Sequence, residues 1–153
     1  MLMVVLIVLG LSIAGSPLSV YAQNLIETVK TGNLRSVKKI LTKKTTNVNE
    51  VDQDGLTSLM IATIANDSAM VVTLLEAGAD PNIQSKSGMT ALHAAAFNNR
   101  DQLMQFIIAA GADPNRIDSK GRTPLLVAAQ MGNTNPITYL IQAGAVVEFK
   151  DLK

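Results

Sequence analysis

One interval dominates this sequence. Gly55, Gly88 and Gly121 stand 33 residues apart, and the same interval separates Thr57, Thr90 and Thr123; Leu59, Leu92 and Leu125; Ala62, Ala95 and Ala128; and Gly78, Gly111 and Gly144. Five series locked to one period mean that a single structural unit is stacked along the chain. Such a unit is too short to bury its own apolar face, so the core must be shared between neighbours and the architecture is a linear stack. The 153 residues leave room for about four units and one continuous core.

Each unit carries the signals of two short helices. Thr57, Thr90 and Thr123 are placed to offer a hydroxyl to the free N–H groups that open a helix, an N-cap worth about 1 kcal/mol. Pro124 suits a first helical position. The small residues Ala62, Ala95 and Ala128 allow close approach of neighbouring helices. A second helix follows, with apolar residues at helical spacing: Val71, Leu74 and Leu75; Leu103, Phe106, Ile107 and Ile108; Ile137, Leu140 and Ile141. Gly78, Gly111 and Gly144 then end it, and Pro81 and Pro114 prevent its resumption.

The motifs resemble those of the ankyrin-repeat family. Ser87-Gly88-Met89-Thr90-Ala91-Leu92-His93 and Gly121-Arg122-Thr123-Pro124-Leu125 are similar to its Gly-x-Thr-Pro-Leu-His, and Glu76 to Asn82 and Ala109 to Asn115 are similar to its Gly-Ala-Asp-x-Asn. The resemblance covers residues 23–153, in repeats at about 23–52, 53–85, 86–118 and 119–151. The terminal repeats are atypical. The first keeps Gly32-Asn33-Leu34 and Asn47-Val48-Asn49 but has Lys44-Thr45 in place of the helix-ending glycine, and the last has Val146 and Glu148 in place of the Asp and Asn. The resemblance implies an all-α solenoid of about four helix-turn-helix repeats joined by β-hairpin-like fingers. It also implies a protein partner, bound through finger tips and a concave helical face.

Residues 1–20 carry no charged side chain and run Leu-Met-Val-Val-Leu-Ile-Val-Leu before Gly10, Gly15 and Pro17. That is the pattern of a signal peptide, with Val20-Tyr21-Ala22 as its cleavage site and Gln23 as the new N-terminus. Residues 1–22 are therefore expected to be a leader, and 131 of the 153 residues the mature domain, in the periplasm or outside the cell. An alternative stays open. The leader lacks Lys and Arg, whereas Lys30, Arg35, Lys38 and Lys39 follow it, the bias of an uncleaved helix anchored in a membrane with its C-terminal side cytoplasmic. The absence of cysteine rules out disulfides and thiolate chemistry, and for an exported domain it fits a bacterial periplasm.

No residue pattern announces catalysis. His93 is the only histidine and occupies the His of the repeat motif at a helix start, where its ring is expected to satisfy backbone groups. One His and no Cys cannot assemble an ordinary zinc site. Asp52, Asp54, Asp80, Asp113 and Asp118 lack the spacing of a calcium loop and read as turn residues. The glycines recur at the repeat period instead of clustering into a phosphate-binding loop. Residues 23–44 carry a net charge of +5 and residues 45–153 a net −4, so the first repeat is a basic cap on an acidic body. That cap reads as a solvated end face, with attraction to an anionic partner or membrane surface as the alternative. No aromatic residue interleaves it to stack on bases. The expectation is a non-enzymatic monomer, without cofactor, metal or nucleic acid, that binds a protein. A membrane enters only if the leader is retained, and inhibition or stabilisation of one exported enzyme remains the other reading.

The resemblance places the partner-binding positions at Leu56, Met89 and Arg122 after the finger glycines. On the first helices it places them at Ile64 with Ala65, Phe97 with Asn98, and Gln130 with Met131. Five of these nine are Leu, Met, Ile or Phe, where solvent-facing positions are ordinarily polar. Phe97 is the expected anchor.

Overall fold

The computed structural model describes residues 24–147. The expected leader, its expected junction at Ala22 and Gln23, and residues 148–153, Glu148 included, lie outside the described residues. Eight helices are described: α1 (Leu25–Lys30), α2 (Leu34–Leu41), α3 (Ser58–Ile64), α4 (Ser68–Glu76), α5 (Ala91–Phe97), α6 (Asp101–Ala109), α7 (Pro124–Met131) and α8 (Thr134–Gln142). Each odd helix and the even helix after it form one repeat. The odd helices pack side by side in one layer and the even helices α4, α6 and α8 in a second, α2 lying against α4. At six to nine residues, none is long enough to be stable in isolation. The chain is an all-α repeat solenoid.

The threonine series does what its spacing implies. Thr57, Thr90 and Thr123 each accept, on the side-chain oxygen, the backbone N–H three residues on, from Met60, His93 and Leu126 at 3.2, 3.4 and 3.3 Å. At the far end of α4, Gly78 takes φ +88°, and Gly78 and Ala79 donate backward to Leu75 and Leu74, each at 3.0 Å. This left-handed closure satisfies the last carbonyls of the helix. The first repeat lacks the glycine. There the Thr46 hydroxyl donates to the Ile40 carbonyl at 2.7 Å, giving a helix-end carbonyl a side-chain donor.

The connections expected to resemble β-hairpins are tight turns, and a lone antiparallel bridge between Val51 and Thr57 is the only β pairing among the described residues. The reason is chemical. In the first finger, Asp52 Oδ1 accepts from the N–H groups of Asp54 and Leu56, both at 2.9 Å; in the third, Asp118 Oδ1 accepts from Lys120 and Arg122 at 2.9 and 3.0 Å. Ser85 Oγ accepts from Met89 N–H at 3.2 Å in the second. Side-chain oxygens thus serve donors that a strand partner would otherwise satisfy.

Successive fingers are joined backbone to backbone. Lys86 N–H donates to Asp54 O at 3.0 Å, and Ser119 N–H to Ser87 O at 2.9 Å. A methyl group on Gly55 or Gly88 would stand 2.7 Å from the nitrogen of Lys86 or Ser119, and both glycines hold positive φ, +77° and +74°. Only glycine meets both demands. A second ladder runs through asparagines. Asn49, Asn82 and Asn115 each accept, on Oδ1, a backbone N–H of the following repeat, from Asp80, Asp113 and Val146 at 2.8, 2.7 and 2.8 Å.

The apolar stripe of the second helices is core, with its arc rotated from the one the sequence implies. Val71, Leu74, Leu103, Ile107 and Leu140 are buried, and Leu75, Ile108 and Ile137 are half-buried against them. Phe106 and Ile141, expected in the stripe, are exposed. The buried arc of α6 is centred on Leu103, Met104 and Ile107, so Phe106, one position before Ile107, falls on its rim. Met70 in α4 is buried at the position of Leu103.

His93 is fully buried and completes a capping box. Its Nδ1 accepts from Thr90 N–H at 3.2 Å, which assigns the ring proton to Nε2, and Nε2 donates to the Arg122 carbonyl of the next repeat at 2.9 Å. The ring therefore staples the third repeat to the fourth. Burial holds the imidazole pKa below its usual 6.5 against the pull of the Arg122 carbonyl and the Asp118 carboxylate, and the Arg122 charge acts with burial.

Two outcomes follow from this packing. Leu74→Ala and Ile107→Ala should each cost about 2–5 kcal/mol in denaturant titration, and half-buried Leu75→Ala less than either. Because the folded His93 pKa is depressed, the unfolded chain takes up a proton that the folded chain refuses once pH falls below 6.5. Stability should be level above that value and decline below it, toward the folded pKa. Asp52 and Asp118, whose pKa values lie below 3.8, add their loss only in stronger acid. Urea midpoints at several pH values should show this decline, and His93→Gln should flatten it.

Candidate protein-binding surface

Three first helices end on the same side of the layer, at Ile64, Phe97 and Met131. A short buried face against the second helices uses up the inward positions: Leu59, Ala62 and Thr63 in α3, Leu92, Ala95 and Ala96 in α5, and Val127 and Ala128 in α7. The closing residue of each helix is left outside. Ile64, Phe97 and Met131 are 46%, 46% and 48% exposed. Ile64 and Phe97 hold equivalent positions whose counterpart in the fourth repeat is Gln130, and Met131 stands one position further on, so the apolar row bends at its last member. They do not tuck between repeats.

The polar members of the row are held by the fold. Asn98 Nδ2 donates to the Ala94 carbonyl at 2.9 Å, which fixes the amide at the end of α5. Asn133 Nδ2 donates to the carbonyls of Ala96 and Phe97 at 2.8 and 3.2 Å, so the fourth repeat braces the backbone that carries Phe97. Gln130 is exposed, and its Oε1 accepts from Arg122 Nη1 at 3.3 Å. A mostly rigid backbone therefore presents apolar side chains that need little reordering on contact.

The finger positions are less available. Leu56 and Met89 are half-buried, and Leu56 packs against the core. Arg122 is committed within the chain: Nη2 and Nε donate to the buried Asp118 carboxylate at 2.6 and 2.8 Å. Burial pushes that carboxyl up, but the Arg122 guanidinium and the N–H groups of Arg122 and Lys120 outweigh it and hold the pKa below the usual aspartate value. Arg122 thereby locks the third finger. The sequence could not distinguish this from a free arginine, because Asp118 is separated from it by a turn whose closure depends on the same carboxylate.

Among the described residues, no group of three or more His, Asp or Glu side chains stands close enough to hold a metal ion, and no helix is long and apolar enough to cross a membrane. The basic residues Arg35, Lys38 and Lys39 share the exposed side of α2, at the far end of the stack from Met131. Lys30 pairs instead with Glu27 and Asp52 at 3.0 and 3.6 Å.

The family comparison agrees with the repeat geometry. A family model described as ankyrin repeats (3 copies) matches residues 25–118 and again residues 64–151. No curated protein is similar enough to the chain to count as a match. Ankyrin repeats are, as a class, protein–protein interaction modules. The helix pairs, the glycine-tight fingers, the Thr90–His93 capping box and the family match over most of the sequence together place this chain in the ankyrin-repeat family.

Proposed function

We propose that the chain is a non-catalytic recognition module whose partner protein lies along the row Ile64, Phe97 and Met131. Asn98 and Gln130 flank that row, and Leu56, Met89 and Arg122 shape the finger side of the site. The observation that carries this reading is the exposure of Ile64 and Phe97 at one register position in consecutive repeats, with Met131 exposed one position past their counterpart Gln130, on backbone that is otherwise well packed. The site is exported with the chain into the periplasm or the medium, and residues 1–22 are removed. The rival is an anchored adaptor, favoured by the basic residues Arg35, Lys38 and Lys39 that follow an apolar segment without Lys or Arg. A role in inhibiting or stabilising one exported enzyme is a special case of the main reading.

Phe97→Ala and Met131→Ala should each weaken capture of the partner, by about 2 kcal/mol or roughly 30-fold for Phe97, with the melting temperature nearly unchanged. Titration calorimetry against the captured partner, alongside thermal melts of each variant, reads both quantities. Unchanged affinity would remove the row from the site. Intact-mass measurement should find a chain that starts at Gln23. A mass that retains Met1 to Ala22 in the membrane fraction would select the anchored adaptor.

A further inference from the structure

The turn inside each repeat ends on the residue that opens the second helix, and that residue is Asn33, Asp67, Arg100 or Asn133. Three of the four are the short polar residues that suit an N-cap. Asn33 and Asp67 act as caps, accepting the N–H of Ser36 and of Met70, each at 3.0 Å. Asn133 turns its amide to the carbonyls of Ala96 and Phe97. Arg100 has no acceptor to offer, so α6 opens without a side-chain cap, and a cation at the positive end of a helix is itself unfavourable. No contact within the fold compensates. Arg100 is half-buried, its Nε is buried, and among the described residues its guanidinium makes no hydrogen bond or ion pair. The acids nearest in register are engaged elsewhere: Asp67 caps α4, and Asp101 accepts from Gln102 N–H at 2.9 Å and from Asn135 Nδ2 at 3.4 Å. Glu148 and Asp151, the acids outside the described residues, follow Val146, which Asn115 holds at the finger ends of the helices. The turn from Phe97 to Arg100 joins the opposite ends.

Building on the row assigned above, we propose that Arg100 is a specificity-determining residue of the recognition surface: the partner segment that crosses the α5–α6 turn carries an Asp or Glu whose carboxylate takes the guanidinium. Phe97 and Arg100 stand at the two ends of that turn, and Phe97 is 46% exposed. Arg100 is the only cation among residues 64–67, 97–100 and 130–133, so an acidic side chain has one receiver there and its place is fixed at the third repeat. The planar fork of a guanidinium matches a carboxylate with two parallel hydrogen bonds, and the single charges balance. A phosphate dianion would call for a second cation, which these turns lack. Because Nε is already withdrawn from water, an acid meets a donor that needs little further desolvation, whereas a segment without an acid leaves the cation unpaired.

The test screens the full chain, purified and immobilised, against a phage-displayed library of random linear peptides. Retained peptides should be enriched in Asp or Glu beside an apolar residue, and Arg100→Asp should retain peptides with Lys or Arg there instead. Affinity for an acidic peptide selected in this way should fall about tenfold or more in Arg100→Asn. The same substitution should raise the urea midpoint, because Asn restores to α6 the cap that Asn33 gives α2; an arginine kept for stability would show the reverse. A lowered midpoint, no retention above an unrelated control protein, or acidic peptides held equally by Arg100→Asp would overturn the proposal. Phe97→Ala separates it from the proposed function. Lost affinity supports both, whereas unchanged affinity with the charge preference intact removes the row and leaves Arg100 as the receiver of the acid.

Discussion

Everything in this molecule depends on backbone donors that cross from one repeat to the next. Lys86 N–H to Asp54 O and Ser119 N–H to Ser87 O hold the fingers together, and Asn49, Asn82 and Asn115 hold the helix ends. No repeat owns a complete core, so the hydrophobic contribution of Leu74 or Ile107 exists only while a neighbour is in place. The polar ladders fix the step between units; apolar burial supplies most of the free energy. That division explains why the glycines and asparagines are invariant among the repeats that use them, whereas the core positions vary freely among Met70, Leu103 and Pro136.

Much of this was legible before any coordinates. The threonine caps, the helix-ending glycines and the His93 capping role follow from residue type at a fixed interval, because each acts on backbone only a few residues away. What the interval could not convey is depth. Leu56 and Met89 share the pattern of exposed finger residues yet lie half-buried, and Phe106 shares helical spacing with Leu103 yet sits on the rim. A short helix of nine residues tolerates a rotation of its buried arc by one position without losing its apparent periodicity. The Arg122–Asp118 pair was invisible for another reason: both residues have ordinary roles in turns, and only the closed finger puts the guanidinium on the carboxylate.

The first-helix row and the fourth-repeat face illustrate two kinds of exposed apolar surface. Ile64, Phe97 and Gln130 share one register position and are all exposed, so that exposure is built into the unit. Leu126 and Ile141 are exposed where their counterparts in the earlier repeats are more buried. The first kind marks what a repeat offers outward; the second belongs to the fourth repeat alone.

The turns between the helices of each repeat add a consequence for how such a chain can change length. Left-handed residues mark them at Gly32, Asn66, Asn99 and Gly132, with φ of 69°, 58°, 53° and 71°. The first interval is one residue longer than the other two, and the extra residue lies upstream of Asn49, before the first rung of either ladder. Beyond that point a single inserted or deleted residue would displace every later finger from the glycine that receives it. Lineages descended from such a chain are thus free to gain or lose whole repeats, while single-residue length changes are channelled into the segment after α2.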